Sequence, residues 1–179
     1  MNNGQAVGAP ASSAPSSKQS GIAFATLTLP LLANKEEDVT PEQTNLVQAS
    51  FAHVVPIADK AADLFYSKLF AIDPSLRGLF SDDMTDQKKK LMAMLATAVN
   101  ALHRWETVSP AVKDLGRRHV GYGAKPEDYG NVGLALIGTL EAGLGDAFTA
   151  PVREAWIACY TTIAGEMLQA AEPTETVKA

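Results

Sequence analysis

The stretch LGRRHVGYGAKPEDY, residues 115–129, contains the signals from which the fold of this chain can be worked out. His119 ends an amphipathic segment, and Leu115 lies one helical turn before it on the same face. Two glycines follow within four residues and allow the chain to reverse, and Pro126 suits the first turn of a new helix. The stretch therefore predicts two consecutive helices, with an imidazole projecting from the end of the first into a space between helices.

Helix signals continue on both sides of this stretch. Thr40-Pro41-Glu42-Gln43 is a capping box with proline at the first helical position, and Pro56 should end or bend the helix that it opens. Seven helices are predicted, and they begin near Pro41, Ile57, Pro74 (capped by Asp73), Thr85 (itself the cap), Pro110, Pro126 and Pro151. No segment alternates apolar and polar residues between hairpin turns, so the chain is predicted to be all-α.

Composition limits the class of protein. The chain has 179 residues, of which 46% are hydrophobic and 20% charged, enough for one compact domain with a tail. Its net charge of −5 has the wrong sign for binding a phosphate backbone, so nucleic acid is not expected as a partner. The single cysteine, Cys159, cannot form an internal disulfide and suits a reducing compartment.

Three segments are expected along the chain. Residues 1–38 form a flexible extension rich in Ala, Ser, Pro and Gly, residues 39–172 form the helical domain, and residues 173–179 form a tail. The apolar stretch 21–33 is shorter than a membrane helix and contains Pro30, although it could imitate an export signal. We therefore expect a cytoplasmic protein without a membrane span.

Few residues offer catalytic or metal-binding chemistry. The sequence has no P-loop, no dinucleotide fingerprint, no HExxH and no GxSxG motif. Of the three histidines, His53 is expected to be a partly buried structural residue and His103 a surface residue near a helix end. For His119, position alone leaves capping or packing open beside ligation of a metal.

Two polar side chains fall on apolar helix faces. Tyr66 follows Phe65 within an apolar stripe. Gln87 is the first residue on the apolar face of its predicted helix, and Leu91 follows one turn later on the same face. In one interpretation, Tyr66 bonds to backbone or water and Gln87 lies at an exposed helix entrance. In the other, both donors point into a nearly dry cavity suited to a small polar ligand.

Taken together, these elements resemble the globin superfamily, in particular the single-domain bacterial haemoglobins and the globin half of flavohaemoglobins. The matching elements are Leu64-Phe65-Tyr66, Asp73-Pro74 with Leu79-Phe80, Gln87 with Leu91, Leu115-Gly116-Arg117-Arg118-His119, Tyr129 with Val132-Gly133, and Trp156 with Tyr160. The resemblance covers about residues 40–172. It implies a globin fold, an all-helical sandwich around haem b.

The resemblance also implies roles for individual residues. It makes His119 the proximal iron ligand, with Tyr66 and Gln87 as the distal pair that contacts the gas. The other implied cofactor contacts are Phe80 against the porphyrin, Leu91 above its distal face, Tyr129 beside the proximal histidine, and Lys90 at a haem propionate, with Arg117 and Arg118 as competitors.

The sequence departs from flavohaemoglobins in two respects. The glutamate of their proximal network falls at Pro173, with Glu172 only adjacent, and this lowers our expectation of peroxidase-like chemistry. No flavin or nicotinamide reductase domain is recognised in the 179 residues, so turnover is expected to need an external reductase.

The expected function is the binding of dioxygen, with dioxygenation of nitric oxide to nitrate as the activity that the resemblance implies. Tyr66 and Gln87 would be its catalytic residues, since donors directed at bound dioxygen slow its release. Oxygen storage or delivery, without turnover, is the alternative. A haem-based gas sensor is a third possibility.

Overall fold

The computed structural model describes residues 39–172, and every regular element in that range is a helix. Residues 39–172 form six α-helices: α1 (Pro41–Val54), α2 (Ala58–Ile72), α3 (Thr85–Ala101), α4 (Trp105–Gly121), α5 (Pro126–Leu144) and α6 (Ala150–Ala171). Four 3-10 helices join them: Val55–Ile57, Pro74–Leu79, Leu102–Arg104 and Gly145–Ala147. The predicted all-α class is confirmed, whereas the predicted extension, the tail and Pro173 lie outside the described residues.

Local side-chain signals set several of the helix ends. The Gln43 N–H donates to the Thr40 hydroxyl at 3.2 Å, and the Thr40 N–H donates to the Gln43 side chain at 2.9 Å, which confirms the capping box. Pro56 lies in the 3-10 helix that separates α1 from α2. The Asp73 carboxylate caps the 3-10 helix Pro74–Leu79, as predicted.

Three local predictions are wrong. Thr85 does not cap α3 but is its first residue, and its N–H donates to the Asp83 carboxylate at 2.9 Å. Pro110 does not start a helix, because α4 begins at Trp105 and continues through the proline. His53 is exposed rather than partly buried, since the stripe that α1 turns toward the core lies on its other side.

The core is organised around a buried tryptophan of α6. Trp156 is 1% exposed, and its indole N–H donates to the Ser50 hydroxyl of α1 at 2.9 Å. The Phe51 ring lies 6.1 Å from the Trp156 ring, centroid to centroid. These contacts hold α1 against α6. None of the helices in residues 39–172 is both long enough and apolar enough to cross a membrane.

Helix α4, which carries His119, packs along α6 with its backbone in close approach. A Cβ atom at Gly116 would lie 2.3 Å from the carbonyl oxygen of Met167 and 2.7 Å from its Cα. Backbone atoms cannot move aside as a flexible side chain can, so only glycine fits at this crossing. Because Gly116 precedes His119 by about one turn, the crossing also sets the position of the histidine relative to α6.

A carboxylate of α6 binds the other end of α4. The Trp105 indole donates to Glu166 at 3.0 Å, the Ser109 hydroxyl donates to its second oxygen, and the Lys113 ammonium lies 3.6 Å away. The three partners recur at every fourth residue and therefore share one face of α4. Burial raises the pKa of Glu166, but the hydrogen bonds from Ser109 and Trp105 and the charge of Lys113 outweigh burial and lower it.

Replacing Gly116 should therefore be costly. We expect Gly116→Ala to lower the free energy of unfolding by about 1–3 kcal/mol, the usual cost of overpacking, because the new methyl group would meet the backbone of Met167. Gly165→Ala in α6 is the matched control: its Cβ would meet no atom within 4 Å, and alanine favours a helix. Urea unfolding measures both variants, and equal stability of Gly116→Ala and the wild type would contradict the tight crossing.

The Glu166 contacts should make stability depend on pH. The pKa of Glu166 in the folded protein lies below its ordinary 4.5, so its contribution is complete above that value and is lost as the pH falls through the folded pKa. We expect Glu166→Gln to cost about 1–3 kcal/mol at pH 7 and progressively less in acid. Denaturant unfolding between pH 7 and pH 3 tests this, with the exposed Glu141→Gln as control. A difference that stays constant across this range would refute it.

Candidate functional site

Tyr66 lies within a cluster of aromatic rings. Its ring centroid is 5.1 Å from that of Phe65, 5.5 Å from that of Phe80 and 5.9 Å from that of Phe70. The side chain comes from the middle of α2, and the residue is 5% exposed. Packing on several sides restricts the ring, so the hydroxyl is a polar group with a restricted direction in apolar surroundings.

Gln87, near the start of α3, is the polar side chain that acts on the pKa of the Tyr66 hydroxyl. Burial raises the pKa of Tyr66, and the hydrogen bond with Gln87 offsets part of that rise. The phenol therefore keeps its proton at neutral pH and can act as a donor. The structure thus brings together the two polar side chains that the sequence singled out, and Gln87 is half-buried rather than fully at the surface.

An apolar cavity of about 90 Å³ lies between α2, α3, α5 and α6, and neither Tyr66 nor Gln87 lines it. Leu91, about one turn after Gln87 on α3, lines it together with Phe65 of α2 and Leu136 of α5. A second cavity of about 20 Å³ shares these three side chains. A water molecule takes up about 30 Å³ in the liquid, so the larger cavity can admit a diatomic gas, and its lining favours an apolar one.

His119 lies in the last turn of α4 and is half-buried. Its Nδ1 lies 2.9 Å from the carbonyl oxygen of Leu115. A carbonyl can only accept, so Nδ1 must carry the hydrogen, and the neutral imidazole then presents its lone pair at Nε2. This tautomer is the one that ligates a metal through Nε2, with the backbone acceptor orienting the ring.

Two tyrosine rings lie near this imidazole. The Tyr122 ring centroid is 5.9 Å from that of His119, and the Tyr129 ring centroid is 6.4 Å from it. Burial, reinforced by the charge of Asp128, raises the pKa of Tyr129, so this phenol stays neutral. The hydroxyl of Tyr160 donates to the Tyr129 carbonyl and ties α6 to α5 at this point.

The charged candidates lie at the surface. Lys90 is exposed on α3, and Arg118 is exposed and paired with Asp114 at 3.2 Å. Glu172 is exposed just beyond the end of α6, whereas the His119 Nδ1 is bonded to a backbone carbonyl. The structure therefore does not couple the Glu172 carboxylate to the Nδ1 hydrogen of His119.

Two contributors to this site escaped the sequence analysis. Phe70 packs against Tyr66 and Phe80, and its spacing of four residues from Tyr66 on one helix was an available signal. Arg77 donates to the Phe80 carbonyl, and this contact depends on the turn of the chain after the 3-10 helix Pro74–Leu79. No local pattern indicates it.

The donor set suits an iron that needs one nitrogen from the protein. Within residues 39–172, no group of three or more histidine, cysteine, aspartate or glutamate side chains is placed to hold a metal ion. A porphyrin supplies four nitrogens itself, and a single histidine then completes the proximal side. His119, with Nε2 available and two tyrosine rings nearby, fits that requirement.

Comparison with known families identifies the chain. The globin family model matches residues 63–167, more than half of the sequence. The chain is a globin. The family resemblance and the haem cofactor expected from it are confirmed, and the protein is a haem globin that binds a gaseous ligand.

Relatives of this globin come from animals and from bacteria. Neuroglobin-1 of Oncorhynchus mykiss is 26% identical over 145 residues, which cover 73% of this chain and 91% of the relative. The flavohemoprotein of Bacillus subtilis is 36% identical over 106 residues, covering 56% of this chain and 26% of the relative. The flavohemoprotein of Vibrio cholerae is 29% identical over 131 residues, which cover 70% of this chain and 33% of the relative. The globin thus matches a third or less of each flavohemoprotein.

Solved structures show the same fold. A bacterial globin from Campylobacter jejuni superimposes with a TM-score of 0.63 at 23% identity, covering 74% of this chain and 96% of that one. A flavohemoglobin from Malassezia yamatoensis with bound FAD and heme gives a TM-score of 0.64 at 19% identity. The superposition covers 75% of this chain and 37% of the flavohemoglobin. The predicted globin fold is confirmed.

Proposed function

We propose that this globin holds haem through His119, holds dioxygen with Tyr66 and Gln87, and converts nitric oxide to nitrate with electrons from an external reductase. The observation that carries the proposal is the buried Tyr66 phenol, which lies within a cluster of aromatic rings and whose pKa is lowered by Gln87 against the effect of burial. Similarity to flavohemoproteins, over the globin part of their length, supports the choice of reaction.

His119 is the proposed iron ligand because its Nδ1 is already bonded to Leu115 and its Nε2 is the remaining donor. Haem held there would supply the iron to which the gas binds. We assign Phe80, Leu91 and Tyr129 as its apolar contacts. For a haem propionate we favour Lys90 over Arg118, since Arg118 already has a carboxylate partner in Asp114.

Tyr66 and Gln87 act as hydrogen-bond donors toward dioxygen. The neutral phenol has its proton available, because burial keeps the pKa of Tyr66 above its ordinary value. A hydrogen bond to an acceptor that gains negative charge is worth about 1.5–3 kcal/mol, and every ~1.4 kcal/mol is tenfold in a rate. The pair should therefore hold dioxygen long enough for nitric oxide to reach it.

The proposed reaction is balanced by one electron: nitric oxide, dioxygen and one electron give nitrate. The electron must come from a reductase, and this makes a redox protein the expected partner. Nitric oxide and dioxygen are both small and apolar, so the cavity beside Leu91 suits their passage.

We place the activity in the cytoplasm, because the single cysteine, the buried Cys159, suits a reducing compartment.

The proximal hydrogen bond favours binding of dioxygen over its cleavage. A carboxylate bonded to the proximal imidazole would give that ring anionic character and promote scission of the O–O bond. The Nδ1 of His119 is bonded to a neutral carbonyl instead. This weaker acceptor suits a protein that keeps dioxygen intact until it reacts with nitric oxide.

Loss of His119 should abolish the proximal ligation. We expect the wild type, reconstituted with haemin, to show a Soret band and a reversible dioxygen spectrum, and His119→Ala to lose the histidine-ligated spectrum. His103→Ala is the control, since His103 is exposed and bonds to Gln48 at 2.9 Å. An unchanged spectrum in His119→Ala would assign the iron to another ligand, and failure of the wild type to take up haemin would remove the proposed chemistry.

Loss of the Tyr66 hydroxyl should speed the release of dioxygen. We expect Tyr66→Phe to raise the dissociation rate by roughly ten- to a hundredfold, measured by stopped-flow displacement with carbon monoxide. Tyr122→Phe is the control, because Tyr122 is 63% exposed.

Mixing the wild-type dioxygen complex with nitric oxide should give stoichiometric nitrate. An unchanged rate in Tyr66→Phe would exclude Tyr66, and rapid release without nitrate would identify a dioxygen carrier.

A further inference from the structure

Arg77 binds both polar backbone groups of Phe80. The Phe80 N–H donates to the Arg77 carbonyl at 3.2 Å, and the Arg77 Nη1 donates to the Phe80 carbonyl at 2.9 Å. The same nitrogen donates to the Ser81 carbonyl at 3.1 Å. The guanidinium therefore closes the turn after the 3-10 helix Pro74–Leu79 and fixes the backbone that carries the Phe80 ring.

The same guanidinium also contacts the aromatic cluster around Tyr66. The Arg77 Cζ lies 5.6 Å from the centroid of the Phe70 ring, within range of a cation–π interaction. The Phe70 and Phe80 rings are 5.6 Å apart, and both pack against Tyr66. One side chain thus contacts the Phe70 ring and the backbone that carries the Phe80 ring, which are two of the three rings packed against Tyr66.

We propose that Arg77 is a positioning residue for Tyr66: through Phe70 and Phe80 it sets the direction in which the Tyr66 hydroxyl points. The inference rests on the proposed function, because that hydroxyl is the proposed donor to dioxygen. Arg77 contacts the Phe70 ring and the Phe80 carbonyl and acts on bound dioxygen only through the Tyr66 hydroxyl. It changes the strength of a hydrogen bond that Tyr66 makes.

The contacts of Arg77 require an arginine. A planar guanidinium can donate two hydrogen bonds in the plane of its fork while its face lies over an aromatic ring, whereas an ammonium is a point charge without a face. Pairing with Asp82 does not account for the arrangement, because Asp82 is fully exposed, its oxygen is 3.4 Å away, and such surface pairs contribute little. The contacts to Phe70 and Phe80 carry the inference.

A double-mutant cycle tests the proposal. We expect Arg77→Met to speed dioxygen release by about three- to tenfold, as for a hydrogen bond that is weakened but not removed. Arg77→Lys should raise the rate of dioxygen release less than Arg77→Met does. In a Tyr66→Phe background, Arg77→Met should add little, because the hydroxyl that it positions is gone. The control is Arg153→Met, which removes a similarly exposed arginine paired with Glu141 at 3.8 Å.

Two further readouts separate positioning from a general loss of stability. The C–O stretching frequency of the carbon monoxide complex reports the distal hydrogen bond and should shift in Arg77→Met but not in Arg153→Met. Hydrogen exchange in the haem-free protein should show faster exchange of the Phe80 amide in Arg77→Met only. Thermal unfolding of Arg77→Met and Arg153→Met measures how much stability each variant loses, for comparison with its change in the rate of dioxygen release.

The outcomes distinguish this inference from the proposed function. If Tyr66→Phe speeds release but Arg77→Met does not, or if the two effects simply add, the positioning role of Arg77 is wrong while the distal role of Tyr66 stands. If neither substitution changes release, the distal role of Tyr66 fails first. A shift in the C–O frequency with non-additive rates supports Arg77.

Discussion

The close approach of α4 to α6 is the constraint on which the placement of His119, the proposed iron ligand, depends. At Gly116 the two backbones leave no room for a Cβ atom, and the bonds of Glu166 to Trp105 and Ser109 limit rotation of α4 about that contact. His119 follows about one turn later and bonds to the Leu115 carbonyl of its own helix. Helix packing therefore sets where the imidazole lies, and one local hydrogen bond sets which nitrogen it presents.

The proposed distal site is assembled differently, from side chains of two helices and of the turn that joins them. Tyr66 comes from α2, Phe80 follows the 3-10 helix Pro74–Leu79, and Gln87 comes from α3. Aromatic packing restricts the phenol, burial keeps it protonated, and Gln87 is its polar partner. Such an enclosure combines a directed donor with an apolar surrounding, which is what selective binding of a small gas requires.

Much of the fold could be predicted because the signals are local. The Thr40 capping box and the Asp73 cap involve partners within three residues, so the sequence contains both halves of each interaction. The start of α4 could not be predicted in this way. Trp105 bonds to a residue 61 positions away, and that contact favours a helix that begins well before Pro110. The exposure of His53 also depends on contacts between helices. The way α1 packs on its neighbours decides which edge of the apolar stripe of α1 is covered, and His53 lies outside the covered part.

By itself, the sequence determined the helical class, most helix starts and the chemical groups available to a site: one helix-end imidazole, one phenol and one amide on apolar faces. Each of these follows from the helical period and from backbone bonds between neighbours. Only the tertiary structure decided that Tyr66 meets Gln87 and Phe80, and that Arg77 reaches the Phe70 ring. Those contacts depend on how side chains of particular size and shape fill the space between helices, and no local pattern in the chain contains that information.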